Sequence, residues 1–219
     1  MPNWQILFAQ YLEHTPKPIQ TRQAVAVRRG QLCANKAGAQ LMKDYDFTLT
    51  FSLPESVVVD DEVLDRLYVE GCDDAVVGFG AAGRIALMFA RAGETAASAM
   101  LSAIQDVSRA VPGCKLTEAQ PDFVGLSDIA NFFGFSRQNM RKLMLTHRST
   151  FPVAVHEGST AIWHLTDVLN WFQKYQNRSL DPTIAEVAAV SMRLNLARQL
   201  GEEPGSPAAT VSVAVGSPP

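Results

Sequence analysis

The sequence predicts an α+β protein, and three observations carry that expectation. Apolar and polar side chains alternate over residues 47–53, as on a half-covered strand. Up to residue 120, strand-like and helix-like segments succeed one another in the order β-α-β-β-α-β, the ferredoxin-like pattern. Beyond residue 121 the chain reads as two short helices around a tight turn, a β-hairpin and a closing helix, which together make a winged helix-turn-helix. The expected organisation is an N-terminal extension, poorly ordered, over 1–46; a ferredoxin-like α+β domain over 47–120; a winged helix-turn-helix over 121–178; a C-terminal helix over 179–201; and a disordered tail over 202–219.

Length and composition bound the function. The 219 residues suffice for one large or two small domains. No apolar run approaches the roughly 20 residues of a membrane-spanning helix. The N-terminus lacks the basic, apolar and small-residue regions of a secretory signal. A cytoplasmic location and no membrane partner are therefore expected. Cys33, Cys72 and Cys114 are odd in number, far apart and without a CxxC pair. That suits buried, reduced thiols better than disulfides or a zinc site. Net charge is −3, but it is unevenly spread. Residues 47–120 hold 11 acidic and 5 basic side chains, a balance of −6. Between Asp128 and Glu157 there is no acid, while Arg137, Arg141, Lys142 and Arg148 give +4. A local basic patch in an acidic chain suits a small, directed phosphate-binding surface.

Trp4–Leu12 has the pattern of a short amphipathic helix that Pro16 and Pro18 stop. Residues 20–43 are polar and basic, around Arg28-Arg29-Gly30, and have no sustained period. Met42 is a candidate physiological start, since folded patterning begins just after it; terminal mass spectrometry of the native protein checks this. Phe47, Leu49, Phe51 and Leu53 then alternate with Thr48, Thr50 and Ser52 until Pro54. Asp60 is placed to cap the next helix, with Asp61 and Glu62 complementing its positive end. Val63, Leu64, Leu67 and Tyr68 form its apolar stripe, and Gly71 closes it. Ala75–Phe79 and Arg84–Ala90 flank a Gly-bearing loop, a hairpin signal. A helix from about Glu94 to Ala110 carries Ala97, Met100, Ile104, Val107 and Val111 at helical spacing, and Cys114–Glu118 reads as a last strand.

In this order of elements two helices cover one sheet face and leave the other open. The open face, with Thr48, Thr50 and Ser52, is free for a second subunit or a small effector. Asp73-Asp74, beside a Gly-bounded loop, reads as a solvated turn rather than a site for a metal or cationic ligand.

Gln120-Pro121-Asp122 reads as a hinge. Ser127 is placed to cap a helix whose core residues are Ile129, Ala130 and Phe133. Gly134 supplies a turn of positive φ, and Ser136 caps a second helix. Ala130, Gly134 and Met140 stand at the spacing of a small residue, a turn residue and a core residue. At about 100° per residue, Met140, Leu143 and Met144 share one arc of the second helix. Arg137, Gln138, Asn139, Arg141 and Lys142 fill the other. Arginine forks onto guanine O6 and N7, and Gln or Asn does likewise for adenine. Lys142 suits a phosphate, as do Ser136 and the N–H groups of the helix start; Arg148 extends the basic run. A basic helix is often only a solvated face. Here the turn, the acid-free run and the wing together favour DNA.

Phe151–Val155 and Ala161–Leu165 read as two short strands around Glu157-Gly158-Ser159-Thr160. Thr166 reads as the cap of a helix with Val168, Trp171, Phe172 and Tyr175 on its apolar side, and Trp163 and Trp171 are expected in the core. His156 and His164 flank the wing turn, but no Cys or acidic cluster completes a metal site, and no cofactor is implied. The run LSDIANFFGFSRQNMRKLM, followed by FPVAVHEGSTAIWHLTDVLNWF, resembles the small winged-helix DNA-binding domains of the MerR/excisionase-like group. The match spans residues 122–175. It implies sequence-specific binding of double-stranded DNA, with the second helix in the major groove and the wing near the backbone. The long acidic domain before it departs from that group, whose excisionases are much smaller.

Asp181 and Pro182 open a last helix. Ile184, Val187, Val190, Leu194 and Ala197 recur along it at three- and four-residue steps, and Gly201 ends it. Leu196 and Leu200 add apolar surface, so a packing or dimer helix is expected. No nucleophile–base pair, phosphate loop or closed metal set is legible, so no enzyme is expected. The whole reads as a sequence-specific regulator bound to DNA as a homodimer on a palindromic site. Its N-terminal domain would take a protein partner or a small effector. The rival reading is an antitoxin or adaptor whose acidic domain binds a basic protein.

Overall fold

The computed structural model describes residues 42–79, 83–178 and 181–201. The expectations for residues 1–41, Cys33 among them, and for 202–219 lie outside these. The chain is mixed α+β with antiparallel sheets. Strand β1 (Lys43–Ser52) leads to helix α1 (Asp61–Val69), strands β2 (Ala75–Phe79) and β3 (Arg84–Gly93), helix α2 (Ala96–Ala110) and strand β4 (Lys115–Gln120). These strands form one sheet in the order β2-β3-β1-β4, every neighbour antiparallel. A second sheet pairs β5 (Phe123–Gly125) with β6 (Ile162–His164). Between them run helices α3 (Leu126–Phe132) and α4 (Arg137–Thr146); α5 (Leu165–Gln176) and α6 (Pro182–Gln199) follow. Among the described residues no helix is long and apolar enough to cross a membrane.

Strand β1 begins at Lys43, four residues before the expected Phe47. Asp44 and Asp46 disguise its start, because acids are depleted in strands. They alternate onto the exposed face, however, while Tyr45 is buried. Tyr45, Phe47, Leu49 and Phe51 thus face the core, where Phe47 stacks on Phe89 with ring centroids 5.2 Å apart. Asp60 caps α1 as expected, accepting from the Val63 N–H at 3.0 Å. Gly71, at φ +100°, lets the Cys72 N–H reach the Leu67 carbonyl at 2.9 Å and close the helix. Val63 and Leu67 are buried, but Tyr68 is exposed. It lies about 140° round the helix from Val63, outside the stripe.

Arg91 is a buried cation at the end of β3. Its guanidinium donates to Asp74 at 2.7 and 2.9 Å, to Asp106 at 2.6 Å and to the Gly71 carbonyl at 2.6 Å. Burial works against its charge. The hydrogen bonds and charges of Asp74 and Asp106 outweigh that and hold its pKa above the ordinary value. One side chain therefore ties the C-terminus of α1, the entry to β2 and the face of α2. The cation that Asp74 meets is internal.

Helix α6 packs within the chain. Val187, Val190 and Leu194 join the core under the four-stranded sheet, while Ala188 joins the core around α3, α4 and α5. Asp181 caps it, accepting from the Thr183 N–H at 2.9 Å. Glu186 accepts from Lys43 Nζ at 2.8 Å and from the Tyr45 hydroxyl at 2.7 Å. Burial, reinforced by that bond, pushes the Tyr45 phenol up to about 12. Burial alone would raise Glu186, but its bonds to Lys43 and Tyr45 bring it below the usual range. Further along, the Asn195 amide accepts from the Ala119 N–H at 2.8 Å and donates to the Ala119 carbonyl at 2.9 Å and to Asp122 Oδ2 at 2.7 Å. Gln120-Pro121-Asp122 is therefore no open hinge: Asp122 is 1% exposed. The sequence could not show this, because the partner that closes the junction is 73 residues away.

Arg91→Ala leaves two carboxylates and a carbonyl without their shared donor. It should lower stability by roughly 3–5 kcal/mol, the range for breaking a buried ion pair. Urea denaturation reads this directly, and a loss below about 1 kcal/mol would contradict the clamp.

Candidate nucleic-acid interface

Strand β5 delivers the chain into α3. The cap residue is Gly125, not Ser127: the Asp128 carboxylate, one turn inside, accepts the Gly125 N–H at 2.8 Å. Ser127 already lies within the helix and is exposed. At the far end Gly134 adopts φ +69°, and the Phe135 N–H reaches the Ala130 carbonyl at 2.7 Å. This closes α3 and turns the chain into α4. Phe133 stacks on Phe172, with centroids 3.6 Å apart. Arg178 donates to the Phe133 carbonyl at 3.1 Å and lies over the Phe135 ring, so α5 and its tail brace the turn from behind.

Ser136 caps α4, its hydroxyl oxygen accepting from the Asn139 N–H at 3.2 Å. That oxygen is therefore occupied, and the hydroxyl offers a ligand its proton. Met140 is fully buried, with Leu143 and Met144 half-buried against the same core. Ser136, Arg137, Gln138, Asn139, Arg141 and Lys142 are all exposed, as is Arg148 just past the helix. Among the described residues no ion pair engages Arg137, Arg141, Lys142 or Arg148. The helix thus presents cations and amides on one side and anchors itself by the other. Leu145 interrupts the polar side, exposed although apolar.

The wing is less regular than expected. Residues 151–155 form no strand; β6 pairs with β5, and the wing is closed by one bridge between His156 and Ile162. The Val155 N–H donates to the Ile162 carbonyl at 2.8 Å, and the Ile162 N–H to the His156 carbonyl at 3.0 Å. Pro152 has no N–H to extend the ladder. Its carbonyl instead takes the Trp163 indole N–H at 3.1 Å. Val153, His156 and Thr160 are exposed on this loop. Trp163 and Trp171 are buried, packed edge-on to Phe151. Thr166 does not cap α5, which starts at Leu165; its hydroxyl is buried and finds no partner among the described residues.

His164 is buried, with Nδ1 2.6 Å from Asp122 Oδ1. Among the described residues no group of three His, Cys, Asp or Glu side chains is placed to hold a metal ion. Cys72 and Cys114 are free thiols, and burial pushes Cys72 up to about 12.

The chain matches no known protein family, no curated protein and no solved structure.

A Cβ at residue 134 would meet nothing within 4 Å, so the backbone angle alone penalises a side chain there. Gly134→Ala should cost about 1–2 kcal/mol in urea denaturation. A neutral or stabilising result would contradict the left-handed turn.

Proposed function

We propose that this protein is a sequence-specific duplex DNA-binding regulator of the cytoplasm, built as a ferredoxin-like unit followed by a winged helix-turn-helix. One observation carries the reading: α4 buries Met140 completely while it holds Arg137, Gln138, Asn139, Arg141 and Lys142 exposed, its cations in no ion pair among the described residues. The resemblance to MerR/excisionase-like domains over residues 122–175 supports it, as does the acid-free stretch around the helix. Arg137 and Arg141 would fork onto guanine, and Gln138 and Asn139 would read adenine. Lys142, Arg148 and the Ser136 hydroxyl would hold phosphates. The wing loop would lie along the backbone. On this reading no residue is catalytic. The adaptor alternative leans on the acidic unit, but Asp74 and Asp106 are already held by Arg91, and Glu70 by Arg109.

Selection of bound sequences from random duplex DNA tests the proposal. The wild type should enrich one motif. Arg137→Ala and Arg141→Ala should each cost roughly 1–3 kcal/mol and blur one position, while Lys142→Ala should weaken all sequences alike. Affinity should fall steeply with salt. Enrichment of no motif, or a salt-insensitive affinity, would sink the reading.

A further inference from the structure

The register of the large sheet builds a second surface. Residues opposite one another in antiparallel strands share a face. On the face away from the core, Thr48 stands beside Met88 and Gln120, with Val76 beyond Met88. In the next row Thr50 stands beside Ala86 and Glu118, with Gly78 beyond Ala86. At one end Ser52 lies between Arg84 and Lys115; at the other come Asp46 beside Ala90 and Asp44 beside Ala92. Residues of α1, α2 and α6 pack into the core on the opposite face. Val76 is 63% exposed, and Asp44, Asp46, Arg84 and Lys115 are exposed as well. Among the described residues no ion pair engages any of these four charges. The acidic end is crowded: partial burial, then the charges of Asp44 and Asp181, hold the Asp46 carboxyl above its ordinary value.

We infer that this open face is a self-complementary dimer surface whose occupant is a second copy of this chain, with strands antiparallel across the interface. Place a two-fold axis between two such faces, running across the strands at the level of Leu49. Each strand then lies over its own copy with its direction reversed. The row of Thr48 falls over the partner's Thr50 row, so Met88 meets the partner's Ala86, and Val76 meets the partner's Gly78. Large side chains meet small ones in both layers. Gln120 meets the partner's Glu118, an amide donor facing a carboxylate. Asp46 falls over the partner's Ser52, between the partner's Arg84 and Lys115. Every contact recurs by symmetry, as an isologous interface requires. Charge complementarity excludes the parallel arrangement, which would set acid on acid. Strands about 4.8 Å apart, two of ten residues and two of five and six, at about 3.3 Å per residue give a face of roughly 500 Å² per partner. That is somewhat below the ~800 Å² per partner of a standard interface, so a micromolar dimer is expected. The inference makes no use of α4 and stands or falls apart from the reading of DNA.

Sedimentation equilibrium of the full chain tests it, with circular dichroism to check that each variant is folded. The wild type should dimerise in the micromolar range. Ala86→Arg, on the open face and away from the core, should abolish the dimer. Asp46→Lys should weaken it at least about tenfold, since like charges then oppose across the interface. Adding Arg84→Glu and Lys115→Glu to Asp46→Lys should restore it to within about threefold. A wild type that stays monomeric to hundreds of micromolar would overturn the proposal. So would a dimer whose dissociation constant none of these changes moves by more than about threefold.

Discussion

Asn195 spends its whole amide on two distant parts of the chain. Its oxygen takes the Ala119 N–H, and its nitrogen serves both the Ala119 carbonyl and Asp122 Oδ2. A reversed amide would set its oxygen against two acceptors, so the network itself fixes the orientation. Asp122 in turn faces His164 Nδ1, and its backbone carbonyl accepts the Leu165 N–H at 2.7 Å. A buried carboxylate stripped of such partners costs several kcal/mol. Edge strand β4, the turn at Pro121-Asp122, strand β6 and the start of α5 are therefore joined at one point. The Asn195 side chain also occupies Ala119 on the edge of β4 much as a neighbouring strand would, which protects that edge from other chains.

This constraint decides how α4 is presented. Helix α6 contributes Val187, Val190 and Leu194 to one core and Ala188 to the other, so neither core is complete without it. Strands β5 and β6 hang from the same junction and carry α3 and the wing. Helix α4 then faces outward on a frame whose orientation is set by buried contacts rather than by a flexible linker. A dimer formed through the large sheet would pass its symmetry to the two copies of α4.

Local signals in the sequence account for much of this. The alternation at Phe47–Phe51, the Asp60, Ser136 and Asp181 caps, and the glycine turns at Gly71 and Gly134 each depend on neighbours within a few residues. All of them are found where expected. The exposed set on α4 was legible for the same reason, because helical geometry converts spacing into faces. What was not legible depends on partners far along the chain. The start of β1 hides behind Asp44 and Asp46 until Ala92 and Ala90 are seen opposite. β5 is only three residues long and exists because β6 pairs with it. The hinge reading of Gln120–Asp122 failed on the Asn195 amide. The surplus apolar positions of α6 were visible, but their sharing between two cores was not.

If the Asn195 network joins the two cores, they must open together. Native-state hydrogen exchange under rising urea reads each separately. The amides of β1 and β3 should lose protection in the same transition as those of α3, α4 and α5. In Asn195→Ala the two sets should separate. A wild-type protein in which one core opens about 2 kcal/mol or more below the other would contradict the coupling.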